Sequence, residues 1–134
     1  MKIIAIPPQG IFAVNCYLAV SEAGNAALID APEGTERILA AAEKNGVKIK
    51  KILLTHGHCD HIESLAELAS ATGAEVYIHE MDAGKLIDSY TNLSQFFSEY
   101  LEKPAEPYRE AICLSDGDTV ELDELKFTVL HTPG

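Results

Sequence analysis

The run Thr55-His56-Gly57-His58-Cys59-Asp60-His61 places three imidazoles and a carboxylate within six positions of a chain that has five histidines in all. Neutral imidazole nitrogen and carboxylate oxygen are the donors taken by zinc and similar borderline cations. His56 and His58 are two apart, so on extended chain both point the same way and reach one cation at about 2.0 Å. Gly57 between them removes bulk where the backbone must bend. Asp60 and His61 are adjacent and open a helix, which turns both toward a neighbouring point. Two ligand pairs imply two cations roughly 3.5–4 Å apart. Such a pair would bring a bridging water to a pKa of about 7, polarise a substrate carbonyl and hold the resulting oxyanion. Asp60, bound to one cation and touching the shared water, would orient it for attack. A single mononuclear site using part of this set stays open. A plain polar loop is the poorer reading, because clustered imidazoles without metal repel one another as they protonate. No Ser–His or Cys–His pair at catalytic spacing competes for the role of nucleophile.

The elements that must hold these residues can be read from periodicity and turn residues. Residues 3–6, 14–20 and 26–29 read as three short strands separated by Pro7-Pro8-Gln9-Gly10 and Ser21-Glu22-Ala23-Gly24-Asn25. Thr35 is placed to cap a helix that runs to Asn45, with Ile38, Leu39 and Ala42 on one face and Gly46 as its stop. Residues 51–54 form a buried strand that ends where the histidine cluster begins. A helix follows, with Ile62, Leu65, Leu68 and Ala69 at helical spacing and an end near Gly73. Residues 75–79 are the next strand, and His79 at its end reads as a surface histidine, the alternative being a support behind the ligands. This strand–helix–strand order predicts helices layered on a sheet, with the ligand loop at the carboxyl end of a strand.

Residues 80–110 read as helical and irregular. Leu93, Phe96, Phe97, Tyr100 and Leu101 form a stripe that faces a core, the alternative being a wall over a substrate. Strands at 112–114, 119–122 and 126–130 follow, joined by turns at Asp116-Gly117-Asp118 and Asp123-Glu124.

At 134 residues and 47% hydrophobic the chain suits one domain, 1–134, with a real core. It has no apolar run near the ~20 residues of a membrane helix, and its N-terminal apolar run is too short for a signal peptide. The expectation is a cytoplasmic protein that does not engage a membrane. With 21 acidic against 10 basic residues, the net charge of −11 argues against a nucleic-acid partner. A small-molecule substrate, even an anionic one, is compatible, since two divalent cations reverse the local sign. Three widely spaced cysteines make no disulfide framework. Cys16 and Cys113 lie in apolar stretches and read as buried small hydrophobes. Cys59 sits among the ligand candidates, as either a soft ligand or an oxidisable thiol, although its neighbours already supply the donors.

The cluster resembles the His-x-His-x-Asp-His signature of the metallo-β-lactamase superfamily, and the resemblance extends over the chain. Asn15-Cys16-Tyr17 looks like the family's opening strand, and Leu28-Ile29-Asp30 with Pro32 and Gly34 looks like a loosened Asp-Pro-Gly turn. Asp116-Gly117-Asp118 and His131-Thr132-Pro133-Gly134 also fit. The resemblance implies an α+β fold, the αββα sandwich. Here that is mainly its N-terminal half, a mixed sheet with helices packed on one face. It implies His56 and His58 on a first metal, and Asp60 and His61 on a second. The family's third histidine, bridging aspartate and last histidine have no counterpart; His131 could stand in for the third histidine, but it reads as structural or as a support behind the ligands. The chain therefore reads as truncated at its C-terminal end, without the second sheet, so that the strand at 126–130 lacks an opposing layer. Weak zinc binding and poor turnover are expected of it.

Asp60 and His61 as the second pair, with Gly57 inside the first, look most like the glyoxalase II-like group of thioester hydrolases. Their chemistry suits a metal-bound hydroxide, because a thiolate leaving group with a pKa of about 8.5 departs without a general acid. The expected function is thus a metal-dependent hydrolase cleaving a thioester or related ester by a zinc-bound hydroxide. Two zinc ions would fill a complete site, and iron is possible. A mononuclear iron persulfide dioxygenase-like enzyme and a non-catalytic metal-binding remnant are the alternatives.

Overall fold

The computed structural model describes residues 2–7, 14–55, 59–86 and 108–129, with the side chains of Cys59 and Asp60 outside the description. Strands β1 (Lys2–Ile6), β2 (Cys16–Val20) and β3 (Asn25–Ile29) form an antiparallel meander. Helix α1 (Thr35–Lys44) carries the chain to β4 (Lys48–Leu53), which lies parallel to β3. Two helical pieces, α2 (Cys59–Ile62) and α3 (Leu65–Thr72), lead to β5 (Glu75–His79), and β6 (Ile112–Leu114) follows at the far edge. The result is one mixed six-stranded sheet in the order β1-β2-β3-β4-β5-β6, whose last four strands run parallel. Their carboxyl ends therefore share one edge.

Alternation decides which face each layer covers. Leu18, Leu28, Ile52, Val76 and Ile78 point to one side, where they pack with Ile38 and Ala42 of α1 and Leu65 and Leu68 of α3. Both crossovers advance the sheet in the same direction, so both helices lie on that face. On the other face Ala19, Ala27 and Leu53 meet Leu122, Leu125 and Phe127 of a hairpin, β7 (Thr119–Leu122) and β8 (Leu125–Thr128). The hairpin turn is tied to the β2–β3 turn. Asp123 Oδ2 accepts from Ser21 Oγ at 2.6 Å and from Asn25 Nδ2 at 2.9 Å, and Glu124 Oε2 accepts from the Glu22 N–H at 2.8 Å. The α+β class and the mixed sheet with helices on one face are as expected.

Several local expectations change. The strand expected at 126–130 is Leu125–Thr128 within the described residues, and it does have an opposing layer, namely the first sheet. Thr35 is the first residue of α1 and not its cap. Gly34 occupies the cap position at φ 94°, a left-handed conformation suited to glycine, and its carbonyl accepts the Ile38 N–H at 3.1 Å. Gly46 ends α1 as expected. The Gly46 and Val47 N–H groups return to the Glu43 and Ala42 carbonyls, a Schellman closure at φ 67°. Strand β4 begins at Lys48, not residue 51. Its lysines disguise an alternation in which Ile49 and Ile52 point inward, with a bulge opposite Ala26/Ala27. The helix expected after the cluster is broken at Glu63-Ser64, where backbone groups bond to the loop after β3.

Cys16 is buried as expected, but Cys113 is exposed, because it lies on the outermost strand. Between Glu80 and Glu110 the described residues contain one 3₁₀ turn, Ala83–Leu86. The stripe from Leu93 to Leu101 lies outside the described residues, as does His131. No described helix is long and apolar enough to cross a membrane.

The central strand carries the packing. Ile52→Ala, at a position with 0% exposure, should cost about 2–5 kcal/mol. Ile3→Ala, at 54% exposure on the edge strand, should stay within about 0.5 kcal/mol. Chemical denaturation of both variants measures this, and equal shifts would contradict the layer assignment.

Candidate metal centre

The candidate centre sits where β3 and β4 end. Strand β4 stops at Leu53, and Thr55 follows two residues later, at the first position of the histidine run. Helix α2 starts at Cys59, so Asp60 and His61 lie in its single turn, as expected from their adjacency. His56 and His58 lie outside the described residues, and so does the side chain of Asp60. Of the four expected ligands, only the His61 side chain is described. No group of three or more candidate donor side chains is found among the described residues.

His61 is held by a residue that the ligand pattern did not mark. Its Nδ1 lies 2.9 Å from Oδ2 of Asp30, which is 3% exposed at the end of β3. The same carboxylate accepts the Thr55 N–H on Oδ1 at 2.8 Å and the Thr55 hydroxyl on Oδ2 at 2.7 Å. Asp30 itself adopts φ 66°, left-handed for a non-glycine residue, and its N–H donates to the Leu53 carbonyl at 2.9 Å. Aspartate tolerates this conformation better than most residues. The next N–H, of Ala31, donates to the His61 carbonyl at 2.9 Å.

This arrangement suits metal binding. In a neutral ring whose Nδ1–H is given to a carboxylate, the lone pair sits on Nε2, and the ring is fixed in orientation. A buried carboxylate that receives three donors has its hydrogen-bonding needs met within the protein. An imidazole so held, next to Asp60 and shortly after His56 and His58, fits a zinc-type or iron-type cation by donor chemistry. The sequence did carry a signal for Asp30: it is the one acidic residue closing the apolar run Ala26-Ala27-Leu28-Ile29.

Residues 10–134 match the family described as the metallo-beta-lactamase superfamily. The chain belongs to that superfamily. Hydroxyacylglutathione hydrolase GloC of Haemophilus influenzae is 30% identical over 131 residues, which cover 98% of this chain and 61% of that protein. The crystal structure of TTHA1623 in a di-iron-bound form is 31% identical, with a TM-score of 0.76 over 96% of this chain and 61% of that one. That of BLEG-1 B3 metallo-beta-lactamase gives a TM-score of 0.83 over 99% of this chain and 62% of that one; at 23% identity it is a likeness of fold. The chain thus spans about three fifths of the length of these superfamily relatives.

Cys16 forms part of the floor under the centre. Its Sγ donates to the Asp30 carbonyl at 3.4 Å. Burial, reinforced by the nearby Asp30 charge, pushes its thiol from 9.0 up to about 12. In the unfolded chain the thiol releases its proton first as pH rises, so stability falls between about pH 9 and 12 and is unaffected below. The slope should approach about 1.4 kcal/mol per pH unit. Denaturant midpoints of wild type and Cys16→Ala at pH 8 and 10.5 measure it; parallel slopes would show that the thiol is not the source. At pH 8, peptide mapping after alkylation should find Cys113 modified and Cys16 intact.

Proposed function

We propose that the protein is a divalent-metal-dependent hydrolase that cleaves a thioester, or a related ester, of a small molecule. The observation that carries this is the pairing of His61 Nδ1 with the buried Asp30 carboxylate, which prepares one imidazole as a ligand before any metal arrives. Membership of the metallo-beta-lactamase superfamily supports hydrolysis as the reaction class. The likeness to a hydroxyacylglutathione hydrolase supports a thioester as the bond.

In this reading His56 and His58 would hold one cation, and Asp60 and His61 would hold a second. The metal, when bound, activates water near neutral pH and polarises the acyl carbonyl. Asp60 keeps the attacking water in line, and Asp30 with Thr55 keeps His61 from turning away. The thiol leaves as its anion, so no general acid is required of the chain.

Zinc suits the imidazole and carboxylate donors. The likeness to a protein crystallised with two irons makes iron the second reading for the metal. Elemental analysis separates zinc from iron, and oxygen consumption would mark a dioxygenase.

With a hydroxyacyl-glutathione thioester as substrate, chelation should abolish hydrolysis and added zinc should restore it. Asp60→Asn and His61→Ala should each lower kcat/KM at least about 100-fold while far-ultraviolet circular dichroism stays unchanged. Hydrolysis that survives chelation, or that survives both substitutions, would overturn the proposal.

A further inference from the structure

We propose that Ser64 is a positioning residue, which locks the Asp30 loop onto the ligand-bearing helix; this rests on the metal reading of the centre. Ser64 occupies the cap position of α3, where a serine side chain ordinarily bonds to its own helix. Here it makes no such bond. Its carbonyl starts α3 by accepting the Leu68 N–H at 2.9 Å, while its hydroxyl turns to the loop after β3. That hydroxyl, in a residue 1% exposed, donates toward the Ala31 carbonyl at 3.2 Å and the Pro32 carbonyl. The Ser64 N–H also donates to the Ala31 carbonyl at 3.0 Å.

These contacts close a small circuit. Residues 30–32 and 61–64 are joined by the Ala31 N–H to the His61 carbonyl, by the two Ser64 donors, and by the Asp30–His61 pair. Ala31 and Pro32 are buried, so their carbonyls must find donors within the protein. The Ser64 hydroxyl meets that need, and with it the loop cannot shift without dragging the helix break. Asp30 sits one residue before Ala31, and His61 three before Ser64. The distance from Asp30 Oδ2 to His61 Nδ1 is thus set from behind by a side chain that touches neither.

Ser64→Ala removes only the hydroxyl. In the metal-free protein, amide exchange at Ala31 and Thr55 should accelerate about tenfold or more, while Gly73, at the far end of α3, and Val47, in the closure of α1, keep their rates. Zinc alone, titrated against a chelator, should bind about 10–100-fold more weakly than to wild type. Thr72→Val deletes the hydroxyl that donates to the Leu68 carbonyl and accepts the Ala74 N–H at the other end of α3, and should leave zinc affinity unchanged. Ser64→Gly repeats the test should the alanine variant fold poorly, since the backbone donor to Ala31 survives. Exchange at Ala31 and Thr55 that is unchanged, or that rises equally with Gly73 and Val47, would overturn the proposal. Zinc affinity equal to wild type would do the same. A wild-type chain that takes up no divalent metal would count against the hydrolase reading instead, and the exchange comparison would then decide Ser64.

Discussion

A carboxylate taken out of water must be met by donors, and the arrangement around Asp30 follows from that requirement. Left unpaired in the interior, such a charge would cost several kcal/mol. Three donors converge on it: the Thr55 N–H and hydroxyl, and the His61 ring. Each comes from a segment distant in sequence, so satisfying one side chain aligns the end of β3, the end of β4 and the first helical turn after the histidine run. The same electrostatic demand that stabilises the fold thereby fixes the orientation of the His61 ring.

The two layers flanking the sheet keep that junction in place. On one face, Ile38, Leu65 and Leu68 bury the helices against Leu28 and Ile52. On the other, the hairpin covers Ala19, Ala27 and Leu53 with Leu122, Leu125 and Phe127. Strands β3 and β4 are covered from both sides, and their carboxyl ends are where Asp30 and Thr55 emerge. The left-handed backbone at Asp30 is the kind of local strain that surrounding structure must over-determine. Here the Asp30 N–H is fixed by Leu53 and the Ala31 N–H by His61. An acidic chain of net charge −11 is also a fitting host for divalent cations, because ligands that include carboxylates lose their repulsion when the metal arrives.

Much of the fold was legible from local pattern. Alternation and turn residues located β1, β3, β5, β6 and β7 to within a residue or two, and Gly46 and Gly73 marked the helix ends. Misreadings occurred where a tertiary contact outweighed a local rule. The strand was expected to begin at residue 51, yet pairing with β3 extends it back to Lys48. Ile62 and Leu65 suggested one continuous helix, but the groups around Ser64 found partners in a different segment. Cys113 looked buried by its neighbours, and the edge position of β6 left it exposed.

For the centre itself, the order of residues determined which donors are available and how closely they can approach one another. His56, His58, Asp60 and His61 announce metal chemistry by type and spacing, because ligands within one turn or one extended stretch need no fold to bring them near. Asp30 announces nothing of the kind. Its partner Thr55 is 25 positions further along, and they meet only because β3 and β4 run parallel and stop at the same edge. A contact of that range depends on strand order and register, which are settled by how apolar faces bury against each other across the molecule.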